Sequence, residues 1–229
     1  MRRLILFDID GTLIRGGPAK DAFRVALMEA FGTSGAIEDH DFSGKTDPQI
    51  ARELVTGAGL SPAEVERGFP ALWRRYLAEL EARLPGHPVD VLPGVLALLD
   101  ALEASGEVAL GLVTGNIAPG ARLKLGSAGM ADRFAVGGFG SDSEDRNELP
   151  AIAMERARRA WSREFAGDAV VIVGDTPRDV ACGRHGGCRT LAVATGRFGL
   201  DELRDSRPDH LLEDLSGTER ALELLLDGR

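Results

Sequence analysis

Five short apolar runs, at residues 3–9, 108–113, 134–138, 169–173 and 189–194, constrain this chain more than any other feature. Each has the length of one buried strand and is too short for an ordinary helix. The last four are separated or preceded by amphipathic stretches, which predict helices over 94–105, 117–129, 148–163 and 176–185. Runs that stay apolar instead of alternating with polar residues belong to strands covered on both faces, which is the situation in a parallel sheet. The expected fold is therefore α/β, a Rossmann-like doubly wound parallel sheet. A weaker sixth strand is expected near 209–212, followed by a last helix over 217–226.

Residues 15–90 break this rhythm. They offer no convincing strand, but they place apolar side chains at helical spacing: Ala22, Val25 and Ala26, then Ile50, Leu54 and Val55, then Leu72, Tyr76 and Leu80. Ser61-Pro62-Ala63-Glu64 is a helix start, with a capping serine, proline in the first turn and a glutamate three residues on. Arg15-Gly16-Gly17-Pro18 and Leu84-Pro85-Gly86-His87-Pro88 bound the stretch. The expected organisation is a core of residues 1–14 and 91–229 carrying an inserted α-helical cap at 15–90. With 229 residues the chain has room for both.

The net charge of −9 argues against nucleic acid as a partner, because a phosphate backbone is met by basic surface. No apolar run reaches the length of a membrane span, and the opening Met1–Phe7 run meets Asp8 and Asp10 too early for a signal peptide. Cys182 and Cys188 do not make a disulfide framework, so a reducing cytoplasm is the expected location.

In an open parallel sheet, ligands bind outside the carboxyl ends of the strands. The first strand runs into Asp8-Ile9-Asp10-Gly11-Thr12, the second into Thr114-Gly115-Asn116, and the fourth into Gly174-Asp175-Thr176-Pro177-Arg178-Asp179. These clusters converge on one edge, where four uncompensated carboxylates repel one another. A divalent cation relieves the repulsion, and an all-oxygen donor set suits Mg²⁺. Asp10 and Asp175 are candidate ligands through side-chain or backbone oxygens, with Asp179 orienting the shell. With a phosphate clamped there, Asp8 has the role of a nucleophile and Asp10 that of an acid and then a base. The Thr114 hydroxyl and the N–H groups of Gly115 and Asn116 suit phosphate oxygens.

With these motifs in order, the chain resembles the haloacid dehalogenase superfamily, and within it the phosphatases whose helical cap follows the first strand (phosphoglycolate phosphatase-like). DIDGTL at 8–13, LVTGN at 112–116 and VGDTPRD at 173–179 carry the resemblance, which spans nearly the whole chain. It implies hydrolysis of a small phosphate monoester through an aspartyl phosphate, with Mg²⁺ as cofactor. It also implies that Asp8 is nucleophile and metal ligand, and that Asp10 is acid/base and lends the metal its backbone carbonyl. Asp175 is then the acidic ligand, supported by Asp179. The family places one basic residue against the nucleophile. Arg146 stands in the usual place and is preferred, with Lys124 on the helix after LVTGN as its competitor. The loop Phe42-Ser43-Gly44-Lys45-Thr46-Asp47-Pro48 is expected to meet the site from the cap. Lys45 is its candidate contact to a second anionic group of the substrate, ahead of Lys20 and Arg24.

Other readings are set beside this one. Gly44-Lys45-Thr46 lacks the P-loop glycine, position 39 being Asp39. Cys182, His185 and Cys188 have metal-like spacing but no second cluster, so they are read as helix and turn residues. Trp73 and Trp161 are read as packing residues. A sugar phosphomutase shares every motif and differs in needing a bisphosphate activator. Family dehalogenases use neither a metal nor the second aspartate, which Asp10 argues against. A non-catalytic binding module on the same fold would not need the intact acidic set.

Overall fold

A computed structural model of the protein describes residues 1–165 and 167–226. The chain runs β1 (Arg3–Phe7), β2 (Ile14–Gly16), α1 (Ala19–Phe31), α2 (Asp47–Gly57), α3 (Pro62–Arg83), β3 (Val89–Val91), α4 (Val95–Ser105), β4 (Val108–Thr114) and α5 (Ala118–Ser127). It continues β5 (Val136–Phe139), α6 (Leu149–Trp161), β6 (Val170–Gly174), α7 (Pro177–His185), β7 (Arg189–Val193), α8 (Leu200–Asp205), β8 (His210–Leu212) and α9 (Thr218–Leu226). Six strands form one sheet in the order β5-β4-β1-β6-β7-β8, and every neighbouring pair in it is parallel. The fold is the α/β arrangement expected from the apolar runs, including the sixth strand.

Side-chain alternation along β1 shows why its run is continuously apolar. Ile5 and Phe7 pack with Leu98, Leu102 and Leu225 of α4 and α9 on one face, while Leu4 and Leu6 pack with Ala153 and Ala157 of α6 on the other. All four β1 side chains are removed from solvent. Cys182 and Cys188 are free, buried thiols in the same cluster as Leu4 and Leu6, and Trp161 packs against that cluster. Trp73 packs against Phe23 and Phe69 in the first cluster.

Helices α1, α2 and α3 lie within the inserted stretch, and α3 opens with the Ser61–Glu64 capping box expected there. The stretch is not free of strand at its ends. β2 and β3 pair antiparallel, Ile14 with Val91 and Gly16 with Val89, so a two-stranded ribbon joins the insertion to the sheet. Three-residue strands have no readable period, and Gly16 and Gly17 at positive φ disguise the first of them. Helix α8 was also hidden, being too short to display a helical repeat.

Candidate active site

Asp8 follows the last residue of β1 and is held there by its N–H, which donates to the Val173 carbonyl of β6 at 2.9 Å. The next turn is tight. Gly11 has φ of +90°, and a side chain at that position would overlap the Asp175 carboxylate. From the end of β6 comes Asp175, whose Oδ1 accepts from the Thr12 hydroxyl at 3.1 Å. Asp179 stands in the first turn of α7. Its Oδ2 accepts from the Thr176 N–H at 2.9 Å and from the Thr176 hydroxyl at 2.7 Å, completing the capping box of that helix. One oxygen each from Asp8, Asp175 and Asp179 lie within 4.8 Å of one another, and all three residues are buried.

Arg146 compensates part of this charge. It sits in the turn before α6, is 6% exposed, and places Nη2 at 3.0 Å from Asp8 Oδ1 and 2.5 Å from Asp179 Oδ1. Lys124 of α5 is as deeply buried but serves the other acid, with Nζ 2.9 and 2.8 Å from the two oxygens of Asp10. The two cations that compete in the sequence reading thus stand at different carboxylates. Asn116 also donates to Asp10, through Nδ2 at 2.7 Å, and the same Nδ2 donates to the Thr114 hydroxyl at 2.9 Å. The Asp10 side chain is not one of the three clustered carboxylates, because Lys124 and Asn116 draw it away from them.

Electrostatics mark the cluster as short of positive charge. Burial, opposed by Arg146 and aided by Asp179 and Asp10, pushes Asp8 from the usual 3.8 to about 6. Burial, reinforced by Asp179 and Asp8, pushes Asp175 to about 8. Burial works against the Arg146 guanidinium, but Asp179 and Asp8 outweigh it and hold its pKa above the ordinary value. Three buried carboxylates against one cation, all offering oxygen, fit a hard divalent cation such as Mg²⁺.

A consequence follows for the metal-free protein. Asp8 and Asp175 bind a proton more tightly folded than unfolded, so stability is greatest at low pH with respect to these groups. It is lost as pH rises from about 4, where the unfolded carboxyls release their protons, to about 8. Thermal denaturation of chelator-treated protein is expected to show Tm falling across that interval, and a Tm rising from pH 5 to pH 8 would contradict it.

These groups form one wall of a cavity of about 430 Å³, with Asp8, Asp10, Thr114, Gly115, Asn116 and Lys124 on the side of the sheet. Lys20, Phe23, Phe42, Lys45, Asp47 and Tyr76 line it from the inserted stretch. Lys45 reaches the cavity, but its ammonium is paired with Glu53 of α2. Lys20 is paired with Glu38 at 3.0 Å. Arg24 faces Asp21 at 3.6 Å and is not among the lining residues. Thr12, Thr46 and Asp47 have site contacts that the sequence reading left unassigned. Each stood inside a quoted motif, and a helix start of the form Thr-Asp-Pro was the available signal for the last two.

The model of the haloacid dehalogenase-like hydrolases matches residues 5–184. The chain belongs to that family. It is 31% identical to a phosphoglycolate phosphatase of Synechococcus elongatus, over 97% of this chain and 98% of the relative. It is 30% identical to a phosphoglycolate phosphatase of Xanthomonas campestris, over 92% of each. Among solved structures, a haloacid dehalogenase-like family hydrolase from Streptococcus pneumoniae superposes with a TM-score of 0.65 at 17% identity, covering 96% of this chain and 98% of that one. The chain is accordingly an enzyme, a phosphatase of the hydrolase family. Among its described residues, no helix is long and apolar enough to cross a membrane.

Proposed function

We propose that this enzyme hydrolyses a small phosphate monoester through a phosphorylated Asp8 and that it requires Mg²⁺. The observation that carries the reading is Asp8 itself, a buried carboxylate on the cavity wall, 3.0 Å from a guanidinium and beside two further buried acids. Asp8, Asp175 and Asp179 would hold the metal side of the site, with the Asp10 backbone carbonyl as the family resemblance implies. When bound, Mg²⁺ neutralises these carboxylates and a phosphate together, which lets an anionic nucleophile approach an anionic substrate.

Everything else falls to the chain's own residues. Arg146 orients Asp8 and, as a fork, offers its remaining N–H groups to phosphate oxygens. The Thr114 hydroxyl and the Gly115 N–H are assigned to the same phosphate, while the Asn116 N–H already donates to the Thr114 hydroxyl at 3.4 Å. The Asp8 carboxylate oxygen attacks phosphorus, the ester P–O bond breaks, and protonated Asp10 gives its proton to the departing oxygen. Ionised Asp10 then takes a proton from water as that water attacks the aspartyl phosphate, which releases phosphate and restores Asp8. Lys124 stands beside Asp10 in both steps, with Nζ 2.9 and 2.8 Å from its two carboxyl oxygens, and holds that side chain in place.

Residues 15–90 are proposed to act as a cap over the core of 1–14 and 91–229, excluding water and selecting the leaving group. Phosphoglycolate heads the candidate substrates on the strength of the relatives' activity. The setting proposed is a reducing cytoplasm, with Cys182 and Cys188 as thiols.

Purified enzyme is expected to turn over p-nitrophenyl phosphate with Mg²⁺, to lose that turnover in a chelator, and to regain it when Mg²⁺ is restored. Added Mg²⁺ is expected to raise Tm more at pH 8 than at pH 5, because ligand carboxylates must be ionised to bind it. Turnover unaffected by chelation sinks the metal requirement, and no turnover by folded, Mg²⁺-loaded protein sinks the phosphatase chemistry.

A further inference from the structure

The loop between α1 and α2 does more than roof the cavity, because where it enters α2 the chain is bonded into the sheet-side machinery. Helix α5 begins after Ile117 with no side-chain cap of its own. Acceptors for its first N–H groups come from elsewhere: Asp47 Oδ2 of the inserted stretch accepts the Ile117 N–H at 2.8 Å, and the Ser141 hydroxyl accepts the Ala118 N–H at 3.1 Å. The Asp47 N–H in turn donates to the Gly115 carbonyl at 2.7 Å. One residue thus grips the chain on both sides of Asn116, the residue whose Nδ2 donates to Asp10. The approach is close enough that a side chain on Gly115 would overlap the Lys45 carbonyl. Neighbouring Thr46, fully buried, anchors the same loop by donating its hydroxyl to the Glu144 carbonyl at 2.9 Å.

We propose that Asp47 is a positioning residue for leaving-group protonation: by clamping residues 115 and 117 it fixes Asn116, and Asn116 fixes the carboxyl of Asp10. The inference rests on the proposed phosphatase chemistry with Asp10 as proton donor. It adds that the inserted stretch completes the proton-donating half of the site when seated. Asp8, Asp175, Asp179 and Arg146 make no hydrogen bond to Asp47, so the nucleophilic half is assembled without it.

The readout that separates positioning from general loosening is the nature of the leaving group. An alkyl phosphate departs as a strongly basic alkoxide and needs the proton. p-Nitrophenyl phosphate departs as a weakly basic phenolate and needs it little. Because hydrolysis of the aspartyl phosphate is common to both substrates, the comparison is made in kcat/KM, which reports the phosphorylation step: Asp47→Ala is expected to lower kcat/KM on an alkyl phosphate about 10- to 100-fold more than kcat/KM on p-nitrophenyl phosphate. Asn116→Ala is expected to show the same selective loss, and the double variant no more than the larger single. Asp47→Asn keeps an oxygen for the Ile117 N–H and is expected to restore most of the alkyl phosphate rate. If Asp47→Ala does not fold, Asp47→Glu, which keeps the charge but overreaches Ile117, is expected to show the same selective loss.

Equal losses of kcat/KM on the two substrates, or no loss on the alkyl phosphate, would each overturn the proposal while leaving the phosphatase reading standing. Failure of the unaltered enzyme to turn over p-nitrophenyl phosphate would instead overturn the reading beneath it.

Discussion

Asp8→Asn is expected to abolish turnover, by about 10⁴-fold or more in kcat, as removal of a nucleophile does in other covalent enzymes. The substitution keeps the size and polarity of the side chain and deletes only its nucleophilic charge. The fold is expected to survive, because the carboxylate is itself an electrostatic burden: burial has already pushed its pKa to about 6, so ionising it at neutral pH costs free energy that asparagine does not incur. Arg146 retains Asp179 as a partner. Kinetics on p-nitrophenyl phosphate, with circular dichroism as the control for folding, measures both halves. A variant retaining more than about a tenth of the native rate would remove Asp8 from the role of nucleophile.

Arg146→Met is expected to be the most destabilising single change at the site. The guanidinium is buried and bonded to two buried carboxylates, and its loss removes the cation that both share, leaving Asp179 only its Thr176 hydrogen bonds. Breaking a buried pair from one side costs about 3–5 kcal/mol, which corresponds to a fall of roughly 6–20 °C in Tm for a chain of this size. The loss is expected to be largest at pH 8 without metal. It should shrink as pH falls, because Asp8 and Asp175, whose burial raises their pKa to about 6 and about 8, then take up protons. Arg146→Lys should recover only part of it, since a point charge does not replace a fork reaching two acceptors. Differential scanning calorimetry at pH 5 and pH 8 tests this, and a Tm unchanged from the native protein at pH 8 would show that Asp8 and Asp179 find compensation elsewhere.

What the sequence made legible, and what it hid, divides along physical lines. The strands beginning at Arg3 and Val170 could be read because parallel strands covered on both faces are written as unbroken apolar runs. Asp8, Asp175 and Asp179 could be placed near one another because acids directly after such strands share an edge of the sheet. The ribbon formed by Ile14–Gly16 and Val89–Val91 could not be read, since three residues carry no period. The separate employment of Arg146 and Lys124 was equally out of reach. Sequence order places both after strands, but only the helix geometry decides which carboxylate each ammonium or guanidinium meets. Asp47 was hidden for a related reason. Its partners lie at Gly115 and Ile117, and no local pattern announces a bond across that span.

The place of β1 in the sheet has a consequence for how the molecule comes into being. It is the earliest strand made, yet its two neighbours are β4, beginning at Val108, and β6, beginning at Val170. At ordinary synthesis rates of about 5–20 residues per second, the first edge waits about five to twenty seconds for a partner and the second about eight to thirty. Through that interval Leu4, Ile5, Leu6 and Phe7 form a sticky segment with unpaired backbone on both sides, the kind that chaperones hold and aggregates recruit. The helical stretch at 19–83 emerges in the meantime and, rich in local contacts, is the part of the chain suited to fold first. The strand that carries Asp8 is among the first segments synthesised and among the last to be secured.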